Sequence, residues 1–503
     1  MANDIRSLRQ AKRLRLRDLA DLTNLEAIQL SKWERGLATP PLAAIEKIAA
    51  VFSKSPDAIA HAQARVERSA IPGEGYTTAK ADLTRILPRK GAPPLGRFRV
   101  LDLFCGAGGF SFGLEQTGRF AITAGIDLLP DRIETFAKNH PSATGIIADI
   151  RSFSVERLAN EALQPELVIG GPPCQGFSSI RPFRTLTEGD PRNTLFENFI
   201  LVVVTIRPRW IVLENVVGLL THEGGTAFHQ LLGGFADAGY QTDWRVLNAA
   251  NYGLPQNRER LIVVGNTDGV TFEWPEPTHF SDHRSMAGKF GQKVERVSLF
   301  HSPLLPAVTV MEAIHDLPEV PAGGSADEYG INVVLTDYER AMRNGSSRLT
   351  LHDATAHSDR MLKIIRMAGA NRSALPEGMT SSGFSTSYSR LDADKPSVTL
   401  TVNFVHPASN KCIHPYQDRA LTLREGARLQ GFPDKFEFCG KRAHLAKQIG
   451  NAVPPMLGAI IGTALADAMA IARRATCTFS HEESRGNGQG QGKPRGAAPT
   501  RRH

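Results

Sequence analysis

Leu167-Val168-Ile169-Gly170-Gly171-Pro172-Pro173-Cys174-Gln175-Gly176-Phe177-Ser178 is the stretch that decides the fold. Its apolar opening has the profile of a short buried strand. Gly170-Gly171-Pro172-Pro173 then ends the strand abruptly, because proline offers a sheet no donor and glycine admits turns that other residues resist. Cys174 is thereby predicted on a loop at the carboxyl end of a strand, where open α/β sheets bind ligands. A lone cysteine is more often a small buried hydrophobe than a nucleophile, so its reading depends on the rest of the chain.

Upstream, Arg99-Val100-Leu101-Asp102-Leu103-Phe104 reads as a buried strand and runs into Cys105-Gly106-Ala107-Gly108-Gly109-Phe110. Glycines there let the backbone turn into a helix and approach a ligand closely. A second strand, Ala121 to Ile126, ends at Asp127, an acid placed to bind ribose hydroxyls. A third lies in Ile146-Ile147-Ala148-Asp149-Ile150. Strand ends separated by helical stretches predict an α/β fold with a doubly wound parallel sheet around an adenosine-containing cofactor. The turn is G-x-G-G, with Ser111 where a dinucleotide fingerprint has its third glycine; this weakens an NAD reading and leaves S-adenosylmethionine open.

The downstream motifs decide between them. Asp190-Pro191-Arg192-Asn193-Thr194-Leu195-Phe196 leads into a helix through Ile206, and the strand Trp210-Ile211-Val212-Leu213 ends in Glu214-Asn215-Val216. Then come Leu247-Asn248-Ala249-Ala250-Asn251-Tyr252-Gly253 and Gln256-Asn257-Arg258-Glu259-Arg260. Arg419 to Glu425, Arg428-Leu429-Gln430-Gly431-Phe432-Pro433 and Gln448-Ile449-Gly450-Asn451-Ala452-Val453-Pro454-Pro455 close the set. In order and content these motifs resemble the DNA cytosine-5 methyltransferase family from about Arg97 to Ala470. The one variable stretch, residues 266–418, lies where that family places target recognition, and Pro396 to Thr401 resembles the segment that ends it.

The chemistry behind the resemblance is demanding. Carbon 5 of cytosine is a poor nucleophile until a thiolate adds to carbon 6, and a free thiol with a pKa of about 8.5 must be helped to ionise. The resemblance implies Cys174 as nucleophile and Glu214 as proton donor to ring nitrogen 3. It places Arg260 on the cytosine carbonyl oxygen and Arg258 around the thiolate; phosphate binding or a structural ion pair is the plainer role for both arginines. For S-adenosylmethionine it implies Phe104, Gly106 and Gly108 around the methionine and adenosine parts, Asp127 on the ribose, Asp149 on the adenine amino group, and Ile150 as a further cofactor-binding residue. Pro173, Leu195 and Asn451 complete that pocket, and no metal is implied. Relatives usually carry glutamate where Asp127 stands, which keeps the charge and changes the reach. Cys105 reads as structural. The loop from Ser178 to Arg192 resembles the family's mobile loop over DNA, with Ser178, Arg181 and Arg184 as contacts to a duplex whose target base is flipped out.

Residues 1–60 read as short helices with Ile5, Leu8 and Ala11 on one face, and Ile45, Ile48 and Phe52 on a later one. Asn24, in Leu22-Thr23-Asn24-Leu25, suits the left-handed corner of a helix-turn-helix. The third helix is predicted over Glu26 to Arg35, ending at Gly36, with Leu25, Leu30 and Trp33 inward and Ala27, Ile28 and Lys32 facing DNA. Ser31 to Gly36 followed by Pro40 resembles the repressor-like (XRE-type) helix-turn-helix family; a helical packing module without a DNA role is the alternative. The expected plan is a helix-turn-helix domain at 1–60 and a linker at 61–96, with one short helix around Lys80 to Leu87. A catalytic domain follows at 97–272, completed by 446–475 with a last helix from Met456 to about Ala472. A smaller target-recognition region occupies 273–445, and 476–503 form a disordered tail.

Composition sets outer limits. In 503 residues, 41% hydrophobic and 22% charged content are ordinary for a globular protein, and the net charge of +8 favours a polyanionic partner. The five cysteines show neither metal spacing nor a pairing pattern, and the start of the chain lacks an apolar signal core. Both favour a reducing, cytoplasmic setting. The longest apolar run, Ile200 to Ile206, is far too short for a bilayer. Expected partners are double-stranded DNA, an operator near the chain's own gene bound through the N-terminal domain as a dimer, and a cognate restriction endonuclease acting separately. A tRNA methyltransferase of the same fold is the first rival, which the N-terminal module and long variable region oppose. A regulator with a decayed catalytic domain is the second, which the presence of Cys174, Glu214, Arg258 and Arg260 opposes.

Overall fold

The structure, a computed structural model, describes residues 5–12, 14, 16–25, 27–34, 40–60, 84–173, 194–291, 293–294, 303–331, 333–380 and 385–486. The chain divides into two compact units, Met1–Leu83 and Thr84–His503.

In the first unit, helices Ile5–Ala11, Leu16–Thr23, Ala27–Glu34 and Leu42–Phe52 enclose a core of Ile5, Leu19, Leu30, Trp33, Ile45, Ile48, Phe52 and Ile59, with Leu25 packed against it. The corner before the third helix turns at Asn24, whose φ of 48° is the left-handed value its side chain tolerates. Arg9 and Glu34 form a two-pronged ion pair, Nε to Oε1 at 2.5 Å and Nη2 to Oε2 at 2.8 Å, across the helices. The side chains of Ala27, Ile28 and Lys32 lie outside the described residues, as do Glu26, Arg35 and Gly36.

The second unit is built on one sheet in the order β1-β4-β3-β2-β5-β6-β9-β7. The strands are β1 (Arg85–Leu87), β2 (Phe98–Leu103), β3 (Phe120–Asp127), β4 (Thr144–Ile147), β5 (Leu167–Gly170), β6 (Trp210–Asn215), β7 (Gln241–Asn248) and β9 (Glu259–Asn266). Between the last two lies the two-residue strand β8 (Gln256–Asn257), which pairs outside the sheet with Ser397–Val398. Strands β4, β3, β2, β5 and β6 run parallel, and every residue of β3 and β5 is buried, as expected where helices cover both faces. The sheet is mixed, because β9 is antiparallel to both β6 and β7. The connection from β7 to β9 is too short for the crossover that a parallel pair needs.

Two expectations are corrected. Residues 85–87, read as the end of a linker and of a short helix, form an antiparallel edge strand in register with Gly145–Ile147. Leu87 precedes Pro88, and a residue before proline is driven from helical to extended backbone. The final helix also runs on from Pro455 to Gly486, so residues 476–486 are helical and not part of a disordered tail. Glu482, Glu483 and their neighbours contain no breaker before Gly486; residues 487–503 lie outside the described residues.

That helix packs on Gly109–Gln116 at close range. A side-chain carbon on Gly113 would lie 2.1 Å from the Pro455 carbonyl oxygen, and one on Gly458 2.8 Å from that of Phe110. Small residues on both helices permit the approach. Among the described residues the stretch 442–474 is the one long and apolar enough to cross a membrane, but 56% of its apolar window is buried in the protein. Leu457, Ile461, Leu465 and Met469 lie in the sheet's own core.

A second core gathers Val310, Ile314, Tyr338, Met342, Leu400, Phe404, Leu421, Phe432 and Phe436 with Leu445 and Ile449. Helix Arg442–Asn451 runs across the expected boundary at 445/446. Three arginines are fully buried beside this core. Arg419 grips both oxygens of Glu425 at 2.8 and 2.7 Å, Arg428 binds Asp434 and Asp316, and Arg424 reaches Asp434 at 3.3 Å. Burial alone would raise the Glu425 carboxyl, but the Arg419 guanidinium outweighs it and holds it down to about 2. This pair therefore stabilises fully above the ordinary value of 4.5, and the contribution is lost as pH falls through about 2. Asp316→Ala should cost about 3–5 kcal/mol, because it leaves the Arg428 charge buried with half its partners. Thermal denaturation of the intact chain checks this: a melting temperature within a degree of the parent would contradict it.

Candidate active site and cofactor crevice

Chain order reverses between β2 and β5, so the ligand crevice is expected at the carboxyl ends of these strands. Phe104, Gly106, Gly108, Asp127, Asp149 and Ile150, among the expected cofactor residues, lie at or just beyond the ends of β2, β3 and β4. Phe104, immediately after β2, has a φ of 56°, a left-handed value that a bulky side chain adopts only under tertiary constraint. Gly106 follows with φ 54°, and a side-chain carbon built on it meets nothing within 4 Å, leaving an open face over the turn. Gly108 is the opposite case: at φ 83°, an added carbon would lie 2.6 Å from His140 Nε2.

Asp127 closes β3 with its carboxylate already oriented. The Gly106 N–H donates to Oδ2 at 3.1 Å, the Leu129 N–H donates to Oδ1 at 3.0 Å, and Arg132 Nη1 is 3.8 Å away. The aspartate that replaces the usual glutamate is thus anchored to the glycine turn itself. Beyond β4, the Ala148 N–H donates to the Asp127 carbonyl at 3.1 Å, so Asp149 follows at the adjacent strand end. Ile150 is buried beside it. Leu195 is buried in the first turn of helix Thr194–Ile206, and Asn451 ends helix Arg442–Asn451 exposed.

Three supporting residues, His140, Glu115 and Asp102, were not singled out from the sequence. His140 is buried beneath the turn, with Nδ1 at 2.6 Å from Glu115 and Nε2 at 3.2 Å from the Gly108 carbonyl oxygen. Asp102 is buried inside β2 and accepts a hydrogen bond from the Ser111 hydroxyl. Burial pushes its carboxyl up to about 7, against the opposing effect of that bond. Ser111, the departure from a dinucleotide fingerprint, therefore satisfies a buried acid. His140 carried no local signal, because its partners come from an earlier helix and turn.

The other half of the site forms where β5 and β6 end and β9 begins. Pro173 is the last described residue before the loop, and the Pro172 carbonyl accepts from Asn215 Nδ2 at 3.0 Å. A side-chain carbon on Gly171 would sit 3.1 Å from Glu214 Oε2, so glycine there lets this carboxylate lie against the base of the loop. Arg260 Nε lies 2.8 Å from Glu214 Oε1, with the two side chains only 11% and 12% exposed. Arg258, at 1% exposure, donates through Nη2 to the carbonyls of Gly450 and Ala452 at 3.2 and 3.1 Å. Its Nε and Nη1 are buried with no hydrogen-bond partner among the described residues. Burial pushes the Arg258 guanidinium well below its ordinary value; it also lowers that of Arg260, with Glu214 opposing. Cys174, Ser178, Arg181 and Arg184 lie outside the described residues.

The family profile described as C-5 cytosine-specific DNA methylase matches residues 98–467, and a helix-turn-helix profile matches residues 5–59. The Type II methyltransferase M1.HphI of Haemophilus parahaemolyticus is 34% identical over 370 residues, covering 73% of this chain and 86% of that protein. The Type II methyltransferase M.AgeI of Thalassovita gelatinovora is 32% identical over 429 residues, covering 72% of this chain and 97% of its own. A crystal structure of a prophage-encoded DNA modification methyltransferase from E. coli shares the fold, with a TM-score of 0.57 at 24% identity over 74% of this chain and 99% of that one. Residues 98–467 thus carry the family's pattern from end to end, and the chain belongs to the C-5 cytosine-specific DNA methylases, as an enzyme with a helix-turn-helix unit at its amino end.

Proposed function

We propose that the chain methylates carbon 5 of cytosine within one short duplex DNA sequence, using S-adenosylmethionine and a covalent adduct between Cys174 and a flipped-out base. The observation that carries this reading is the Glu214–Arg260 pair, held at 2.8 Å against the base of the Pro-Pro-Cys loop. The pair offers a carboxyl for ring nitrogen 3 and a guanidinium for the neighbouring carbonyl oxygen, on the edge of the ring that identifies cytosine. Arg258 adds buried N–H donors without partners among the described residues; on this reading it lies near Cys174, where a cation favours the thiolate.

The crevice fits the proposed cofactor by its donor set. Asp127 is fixed by two backbone N–H groups and keeps acceptor capacity for ribose hydroxyls, Asp149 offers an acceptor for an adenine amino group, and the open face at Gly106 leaves room beside them. When bound there, S-adenosylmethionine supplies an electrophilic methyl group. Cys174 adds to carbon 6 as Glu214 protonates nitrogen 3, which makes carbon 5 nucleophilic. After methylation the carbon 5 hydrogen leaves as a proton, the ring double bond returns and the thiolate is expelled. The loop carrying Ser178, Arg181 and Arg184 closes over the flipped base and excludes water.

The helix-turn-helix unit, on this reading, binds an operator upstream of the chain's own gene through Ala27, Ile28 and Lys32, while a restriction endonuclease of matching specificity acts separately. Bisulfite sequencing of host DNA after expression should show one methylated sequence context, and none after expression of Cys174→Ala. Uniformly unmethylated DNA with the parent chain would reject the proposal, and methyl transfer to tRNA in its place would favour the rival substrate.

Two further outcomes follow from the parts. Glu214→Gln should lower kcat about 10²–10⁴-fold while S-adenosylmethionine affinity stays within a factor of two; equal losses in both would mean that Glu214 holds the fold. A chain beginning at Thr84, which retains β1, should still methylate DNA but lose operator binding in a mobility-shift assay. Complete loss of methylation by that chain, folded by circular dichroism, would contradict the separation of roles.

A further inference from the structure

Asp149 does not stand alone at the end of the β4 segment. The Arg151 backbone N–H donates to its Oδ1 at 3.0 Å, and Arg151 Nε donates to Oδ1 at 2.9 Å and Oδ2 at 3.1 Å. Arg151 Nη2 also donates to Oδ2. Three donors on one residue therefore hold both carboxylate oxygens, and the side chains remain about a quarter exposed, at 27% and 23%. The Asp149 carbonyl is fixed as well, accepting from the Ser152 and Phe153 N–H groups at 3.0 and 3.1 Å. A carboxylate has about four lone-pair sites; the Nε bond is split between both oxygens, and letting it fall to one of them frees a site for an incoming donor.

We infer that Arg151 is the positioning residue for cofactor recognition: it fixes Asp149 in one orientation, as an acceptor only, and so makes the crevice select a 6-aminopurine. This rests on reading the crevice as the S-adenosylmethionine site. The 6-amino group of adenine donates to such an acceptor. A 6-oxo group presents a lone pair instead, and a site built around a hydrogen bond rejects the analogue that cannot make it. Burial alone would raise the Asp149 carboxyl, but hydrogen bonds and charge from Arg151 outweigh it and lower it. Removing Arg151 takes away the lowering cause and leaves the raising one, so Asp149 gains a proton at higher pH. Below that point it no longer acts as an acceptor only, and selectivity is lost from the acid side first.

The test measures binding of S-adenosylhomocysteine and S-inosylhomocysteine to the full chain by calorimetry between pH 5.5 and 8. The parent chain should prefer the adenosyl compound at least tenfold across the range. Arg151→Gln should weaken the adenosyl compound about tenfold, leave the inosyl compound nearly unchanged, and lose further adenosyl affinity as pH falls. Arg151→Lys, which keeps a cation and loses the fork, should restore the acid side in part. Equal weakening of both compounds by Arg151→Gln, with an unaltered pH profile, would overturn the inference and leave Arg151 as a turn-stabilising residue. A parent chain that binds neither compound would instead overturn the reading of the crevice on which the inference rests.

Discussion

The catalytic edge depends on one ion pair, Arg260 Nε against Glu214 Oε1 at 2.8 Å. Neither charge could be held so nearly buried without the other, since an unpaired buried charge costs several kcal/mol. The pair exists because β9 enters the sheet antiparallel between β6 and β7, which sets Glu214 opposite Ile262 and leaves Arg260 one diagonal step away. The same turn that feeds β9 places Arg258 against the Gly450 and Ala452 carbonyls, tying the returning end of the chain to the site. Glycine at 171 then allows the loop base to lie against Glu214.

The crevice, at the ends of β2, β3 and β4 along the same edge of the sheet, follows a related rule. The acids here are occupied by the protein before any ligand arrives: at the strand ends Asp127 by the Gly106 and Leu129 amides and Asp149 by Arg151, and inside β2 Asp102 by Ser111. Such prior bonding fixes rotamers, so that recognition does not have to order these side chains. The glycine turn is held from below by the His140 ring, bonded in turn to Glu115. The helix Pro455–Gly486 returns late in the chain to close the sheet's hydrophobic face, through contacts that only small residues permit.

Much of this was legible because its causes are local. A run of apolar residues stopped by Gly-Gly-Pro-Pro gives β5, an acid at a strand end gives Asp127, and Asn24 gives the left-handed corner. The motifs from Glu214 to Arg260 were legible for the same reason, as short strings at strand ends. What escaped is non-local. β1 is a strand because β4 offers an open edge and Pro88 forbids a helix, while the antiparallel course of β9 depends on which neighbour it finds. The burial of Arg419, Arg424 and Arg428 has no local signal in the sequence, and only Glu425, Asp434 and Asp316 explain it. The last helix outran its expected end because low-complexity composition begins only after Gly486.

The covalent step is the central claim, and a duplex carrying 5-fluorocytosine in the methylated sequence tests it most directly. Once Cys174 has bonded to carbon 6 and the methyl has arrived, release requires the substituent at carbon 5 to leave as a cation; hydrogen can and fluorine cannot. With S-adenosylmethionine present, the chain should therefore remain attached to that duplex on a denaturing gel, slowly in Glu214→Gln and not at all in Cys174→Ala. Methylation of the fluorinated duplex without a trapped band, or a band that persists in Cys174→Ala, would contradict the account.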